Sequence, residues 1–253
     1  MIDIHSHILP GIDDGAQSMD DSLEMLVMAA DSGVKTIVAT PHCNIPNSFE
    51  NYASFELEGL FEDLKRESEL ERIPIELKRG MEIFATEDLP QLLQRRLAWT
   101  LNDTDYFLVE FGFEEDPDFC DYILDKCSTL GYKPIIAHPE RYVFVQDEPE
   151  IAYEWCTRGY GLQMNKGSIL GRFGEQVEDT ANALLEHGLI ACIGSDAHGV
   201  FQRTTHMAEI YEFLCEFYGE QYAKLLLSVN PSRILNGKRM LGIAPISFYD
   251  EFD

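Results

Sequence analysis

The 253-residue chain lacks several features, and each absence narrows what it can be. No apolar run approaches the length of a membrane-spanning helix, so membrane insertion is not expected. No basic stretch followed by an apolar one opens the chain, which reads as having no signal peptide and as cytoplasmic. The six cysteines (Cys43, Cys120, Cys127, Cys156, Cys192 and Cys215) form no C-x-x-C pair, which argues for reduced thiols over a disulfide framework. None of them sits in a C-x5-R phosphate loop, so cysteine-based phosphatase chemistry has no support. Repeats, low-complexity blocks and linkers are also missing, and one domain is the economical reading.

Positive charge is scarce as well. Against 45 acidic residues stand 19 basic ones, for a formal net charge of −26. Such a surface repels nucleic acid and anionic membranes, and it would repel a phosphorylated substrate unless the site itself carries cations. Bound metal ions would provide them.

The first fifteen residues, MIDIHSHILPGIDDG, organise the rest. Ile2 to Ile4 start a strand that delivers His5 and His7 to its end, with a Pro-Gly break and Asp13-Asp14 behind them. Residues two apart on a strand share a face, so both imidazoles reach one point. Six further apolar runs read as strands: 34 to 40, 75 to 83, 106 to 111, 134 to 137, 161 to 165 and 189 to 193. Helical patterns alternate with them, beginning with a capping box at Ser18 and Asp21. Seven strands alternating with helices indicate an α/β fold with a parallel sheet inside and helices outside. The tail from Lys238 to Asp253 shows no strong pattern and is expected to pack loosely.

Six of the seven strand ends carry His5/His7, His42, Glu82, Glu110, His138 or Asp196/His198, and the seventh ends in Asn165. In a parallel barrel those ends share one rim, where active sites are built. So many histidines and carboxylates exceed the three or four protein ligands of one catalytic metal, implying two or three divalent ions. Mixed nitrogen and oxygen donors without thiolate fit Mn, Fe, Zn or Mg. Clustered ions suit hydrolysis, because they lower the pKa of a bound water and clamp the oxygens of a phosphoryl group. Either Asp13 or Asp14 would serve as a further ligand. His187 reads as a surface residue at a helix C-terminus, His206 as helix surface, and Cys192 as core.

D-x-H-x-H (Asp3, His5, His7), T-P-H (Thr40 to His42), G-M-E (Gly80 to Glu82), A-H-P-E-R (Ala137 to Arg141) and G-S-D-A-H (Gly194 to His198) together resemble the polymerase and histidinol phosphatase (PHP) superfamily. More narrowly, IHSHILPGIDDG and AHPER look like its bacterial protein-tyrosine phosphatases encoded with capsule and exopolysaccharide genes. The match runs from residue 1 to about residue 237. The resemblance implies a distorted seven-stranded (β/α), TIM-like barrel and a trinuclear metal site, with manganese the leading candidate. It implies one ion on His5, His7, Glu82 and Asp196, a second on Glu82, Glu110 and His138, and a third on Asp14, His42 and His198. Asp14 and Glu110 stand where the wider superfamily more often has histidine, a departure shared by the tyrosine phosphatase branch. Arg141 and Arg203 complete the expected site, because a guanidinium offers a planar fork of donors to phosphoryl oxygens. The implied substrate is the phosphotyrosine-bearing tail of a bacterial tyrosine autokinase. The rival readings are a small-molecule phosphatase of the histidinol phosphatase kind, a nuclease of the same superfamily, and a non-catalytic regulatory barrel.

Overall fold

A computed structural model describes residues 1–242 and 244–249. The chain opens on β1 (Ile2–Ser6) and α1 (Met19–Asp31), then β2 (Thr36–Ala39), β3 (His42–Cys43) and α2 (Phe55–Leu70). β4 (Glu76–Arg79), β5 (Glu82–Phe84), α3 (Leu89–Gln94), β6 (Tyr106–Glu110), α4 (Pro117–Thr129) and β7 (Lys133–Ala137) follow. α5 (Val143–Asp147), α6 (Glu150–Thr157), β8 (Gly161–Asn165), α7 (Lys166–Ile169), α8 (Glu175–Glu186) and β9 (Cys192–Gly194) come next. α9 (Ala208–Phe217), α10 (Glu220–Lys224), a π-helical turn at Leu225–Val229 and α11 (Asn230–Leu235) finish the regular structure.

Every strand pairing is parallel. One sheet has the order β1-β2-β4 and the other β3-β5-β6-β7-β8-β9. The strand count therefore differs from the expected seven, and two residues explain why. Pro41 has no N–H to give the ladder, so the strand expected over 34 to 40 stops at Ala39 and resumes at His42. Gly80 falls at the corresponding place between β4 and β5. A Cβ there would sit 2.9 Å from Leu101 and 3.3 Å from Val38, so the close approach needs glycine. Hydrogen bonds span both breaks: Thr40 N–H donates to Ser6 O at 2.8 Å, and Gly80 N–H to Ala39 O at 2.9 Å.

The sheet curls. Ser6 bridges to Ala197 beyond β9, where His7 N–H donates to Ala197 O and Asp196 N–H to His5 O, each at 2.9 Å. A buried cluster joins Ile4, Val38, Leu108, Ile135, Ala137 and Cys192 to Ile234 and Leu235 of α11. β2 and β7, which supply Val38 and Ile135, lie in different sheets, so a flat arrangement would not bring them together. The larger core packs the helices outside, with Met25, Leu26, Leu64, Phe107, Trp155 and Leu184 among its buried members. Cys192 is core as expected, and the cysteines are free.

Two expectations about histidines are corrected here. His187 is buried, not a surface residue: its Nδ1 faces Ile246 O at 2.9 Å, and its ring stacks on Phe248 at 3.7 Å. Residues 247 and 248 of the tail are fastened locally, since Glu150 accepts from Ser247 Oγ at 2.9 Å and Phe248 N–H at 2.8 Å. Residues 243 and 250–253 of that tail lie outside the described residues. His206 is exposed, although it precedes α9 and is not part of a helix.

Candidate active site

Parallel strands place their C-terminal ends together, and the chemistry-bearing side chains sit there. His5 lies on β1 with His7 just beyond it, His42 and Glu82 open β3 and β5, and Glu110 closes β6. His138 follows β7, and Asp196 and His198 follow β9. His138 and Asp196 have φ of 34° and 48°, in the left-handed region that non-glycine residues rarely adopt. Such strain clusters where surrounding structure enforces a working geometry.

All nine expected ligand residues converge. His5 Nε2 lies 3.2 Å from His7 Nε2, 3.3 Å from Glu82 Oε2 and 3.5 Å from Asp196 Oδ1. His7 Nε2 is likewise 3.3 Å from Glu82 Oε2 and 3.5 Å from Asp196 Oδ1. His138 Nε2 is 2.9 Å from Glu82 Oε1 and 3.6 Å from Glu110 Oε1. Asp14 Oδ1 bridges the outer pair, 3.4 Å from His42 Nε2 and 3.3 Å from His198 Nε2. His42 also turns its Nδ1 inward, 3.0 Å from Glu82 Oε2 and 3.8 Å from Glu110 Oε2. Among the described residues, three groups have ligand atoms close enough for a shared cation: His7, Asp14, His42 and His198; His5, His7 and Asp196; and His42, Glu82 and Glu110.

The donor set fits divalent cations on its own chemistry. Among the described residues, Glu82 Oε2 and His42 Nδ1 are buried without a hydrogen-bond partner, although Glu82 Oε2 has three imidazole nitrogens around it. Orphaned buried polar atoms are rare and costly unless something unites them. Burial, together with the neighbouring charges of Glu82 and Asp196, pushes the Glu110 carboxyl well above its ordinary range. Burial pulls Glu82 the same way, but the imidazoles of His5 and His42 outweigh it and hold Glu82 well below. A cation among these carboxylates relieves that repulsion.

Two relations escaped the sequence reading. Asp13 is buried behind the site; its Oδ2 accepts from His7 Nδ1 at 2.9 Å and from His42 N–H at 3.0 Å. Asp14 is half exposed and faces the outer histidines, so the adjacent aspartates divide into a support and a candidate ligand. Gln163 Oε1 faces His5 Nδ1 at 2.7 Å, and Asn165 Nδ2 donates to Asp196 Oδ2 at 2.5 Å. A polar residue two before Asn165 on a buried strand was the available signal for Gln163.

Both arginines reach this centre. Arg141 Nη1 lies 3.6 Å from Asp196 Oδ2, and Arg203 donates to the Asp196 carboxylate and to its carbonyl.

Comparison with known proteins decides the family. The family model for capsular polysaccharide synthesis, CpsB/CapC, matches residues 1–236. The chain belongs to the CpsB/CapC family. Its PHP-type motifs thereby find their place, in the capsule branch that they resemble. Tyrosine-protein phosphatase YwqE of Bacillus subtilis is 36% identical over 226 residues, covering 89% of this chain and 88% of that protein. Tyrosine-protein phosphatase CpsB of Streptococcus pneumoniae is 30% identical over 240 residues, covering 93% and 98%. Among solved structures, one from work on YwqE and S. pneumoniae CpsB, described as unique metal-dependent tyrosine phosphatases, superposes with a TM-score of 0.91 at 34% identity, covering 98% and 99%. A putative histidinol phosphatase from Listeria monocytogenes shares the fold at a TM-score of 0.52 and 11% identity. In this CpsB/CapC chain, no described helix is long and apolar enough to cross a membrane.

Proposed function

We propose that this chain is a metal-dependent protein-tyrosine phosphatase that removes phosphate from the phosphotyrosine tail of a bacterial tyrosine kinase controlling capsule or exopolysaccharide synthesis. Counting β2 with β3 and β4 with β5 as one bent strand each gives seven, and we read the curled sheet as a single-domain distorted barrel. One observation carries the functional reading: nine histidine and carboxylate side chains from distant strand ends meet beside two arginines.

In this reading His5, His7, Glu82 and Asp196 hold one divalent cation, Glu82, Glu110 and His138 a second, and Asp14, His42 and His198 a third. Manganese is favoured among Mn, Fe, Zn and Mg. Cations held there supply positive charge against the phosphoryl oxygens and activate water near neutral pH. The protein's own part is orientation. Asp13 and Gln163 fix the rings of His7 and His5 from behind, leaving each Nε2 free to face the centre. Arg141 and Arg203 offer donor forks to the equatorial phosphoryl oxygens, where charge spreads in the transition state. Phenol, with a pKa near 10, is a tolerable leaving group, so no dedicated general acid is required. The net charge of −26 disfavours a nucleic-acid substrate.

The test compares turnover on a phosphotyrosine peptide, a phosphoserine peptide, histidinol phosphate and single-stranded DNA, with added Mn²⁺ and with EDTA. Hydrolysis confined to the phosphotyrosine peptide, abolished by EDTA and by Glu82→Gln, is the expected pattern. Preference for histidinol phosphate, or full activity in EDTA, overturns the reading.

A further inference from the structure

Arg141 and Arg203 flank the same carboxylate but are held in different ways. Arg203 spends donors on Asp196, binding both its carboxylate and its carbonyl. Among the described residues the Arg141 side chain makes no hydrogen bond, and its ion pair with Asp196 is stretched to 3.6 Å. Instead its guanidinium carbon lies 4.6 Å from the ring centre of Phe113 and 4.7 Å from that of Phe173.

We propose that Phe113 and Phe173 are positioning residues that clamp the Arg141 guanidinium through two cation–π contacts and keep its N–H donors free for the phosphoryl group. The proposal rests on reading Arg141 as a phosphate-binding side chain. Aromatic faces attract a cation without consuming any N–H donor. In a centre crowded with carboxylates, an unclamped arginine would fold onto Asp196 or Glu110 and lose the fork that a phosphoryl group needs.

Each phenylalanine has a local attachment, although Phe113 is partly exposed and Phe173 only half-buried. Phe113 O accepts from Val143 N–H at 2.8 Å, which ties the loop after β6 to the turn carrying His138 and Arg141, and the Phe113 ring also stands edge-on to His138 at 6.1 Å. Phe173 lies against Gly167, where a Cβ would come within 2.8 Å of its ring. Gly167 is therefore the floor on which that ring rests. Phe173 also lies 6.0 Å from the Arg203 guanidinium carbon, so one ring faces both cations.

The experiment is steady-state kinetics of the Mn²⁺-loaded protein on a phosphotyrosine peptide, with thermal melts to confirm folding. Phe173→Leu and Phe113→Leu should each lower kcat/KM about 10-fold, the scale of one cation–π contact and a misplaced donor pair. Gly167→Ala, which displaces the Phe173 ring while leaving it in the chain, should act in the same direction. Phe173→Tyr should restore near-normal turnover. In an Arg141→Ala background, Phe173→Leu should cost far less than in the native chain, because the nearer of the two cations through which it acts is gone. If Arg141→Ala is impaired but the phenylalanine variants are not, or if their losses persist undiminished without Arg141, the clamp is overturned and the phosphatase reading stands. If Arg141→Ala alone leaves turnover unchanged, the role given to Arg141 falls, and the clamp with it.

Discussion

The Nε2 atoms of His5 and His7 face each other at 3.2 Å, and each ring is pinned from behind, His5 by Gln163 and His7 by Asp13. With Nδ1–H donating outward and the proton gone from each Nε2, as metal ligation requires, two lone pairs would point into one small space beside Glu82 and Asp196. That arrangement is unfavourable in an empty site and favourable around a cation. Chelation should therefore abolish turnover and also lower thermal stability. Saturating metal at a thousand times its Kd adds about 4 kcal/mol, and for a chain of this length that is roughly 10 °C in Tm. Melting curves with EDTA and with restored Mn²⁺ check both size and reversibility.

Asp13 accepts three hydrogen bonds: Oδ2 from His7 Nδ1 and His42 N–H, and Oδ1 from Gly15 N–H at 2.9 Å. An asparagine keeps the shape but turns an NH₂ toward one of those donors. Asp13→Asn should leave the protein folded while weakening metal binding about 10- to 100-fold, the usual consequence of losing a ligand's supporting partner. Calorimetric titration of metal-free protein with Mn²⁺ measures it. Unchanged affinity would mean that Asp13 does not orient His7.

His42 shows what could be read from the sequence and what could not. Its place at a strand end was legible, because a run of β-branched residues closing in Thr-Pro-His predicts a buried parallel strand and an exit onto the common rim. The same logic found His5, Glu82, Glu110, His138 and Asp196. The two-sided use of His42, facing Asp14 with one nitrogen and Glu82 with the other, depends on where β3 sits relative to β5. That is a tertiary fact without a local signature. The breaks at Pro41 and Gly80 were partly legible, since proline interrupts a ladder, but the pairing that continues across them was not. Phe113 and Phe173 belong to loops, where no periodicity marks a partner. His187 was misread for a related reason: Gly188 announces a helix end, yet nothing nearby in sequence tells that residues 246 to 248 return to cover it.

The returning tail makes a stability prediction. The Glu150 carboxylate is buried and accepts from Ser247 Oγ and Phe248 N–H, so it fastens the segment whose ring stacks on His187. Glu150→Ala removes an acceptor from one buried and one partly buried donor, at a cost of about 1–3 kcal/mol. Tm should drop by several degrees, while kcat on a phosphotyrosine peptide stays near normal, because Glu150 touches none of the proposed ligands. Equal stability of the variant would show that the fastening contributes nothing.

Lys166 offers a test whose sign is fixed in advance. Its ammonium is buried, donating to Thr204 O and to His206 O at 2.6 Å, and burial lowers its pKa from 10.5 to about 8. Between those values the unfolded chain still binds a proton that the folded chain has released. Stability must therefore rise with pH over that window, by up to about 3 kcal/mol from this group alone. Below pH 8 both states are protonated, and the cost of burying the charge is carried in full. Buried tyrosines such as Tyr142, whose hydroxyl burial pushes well above the ordinary range, act in the opposite direction as pH climbs past 10. The informative quantity is consequently a difference: the change in Tm from pH 8 to pH 10 for the native chain minus that for Lys166→Met, whose thioether does not titrate. A positive difference is expected. A difference of zero would mean that the lysine keeps an ordinary pKa in the folded protein and that its two carbonyl partners fully compensate its burial.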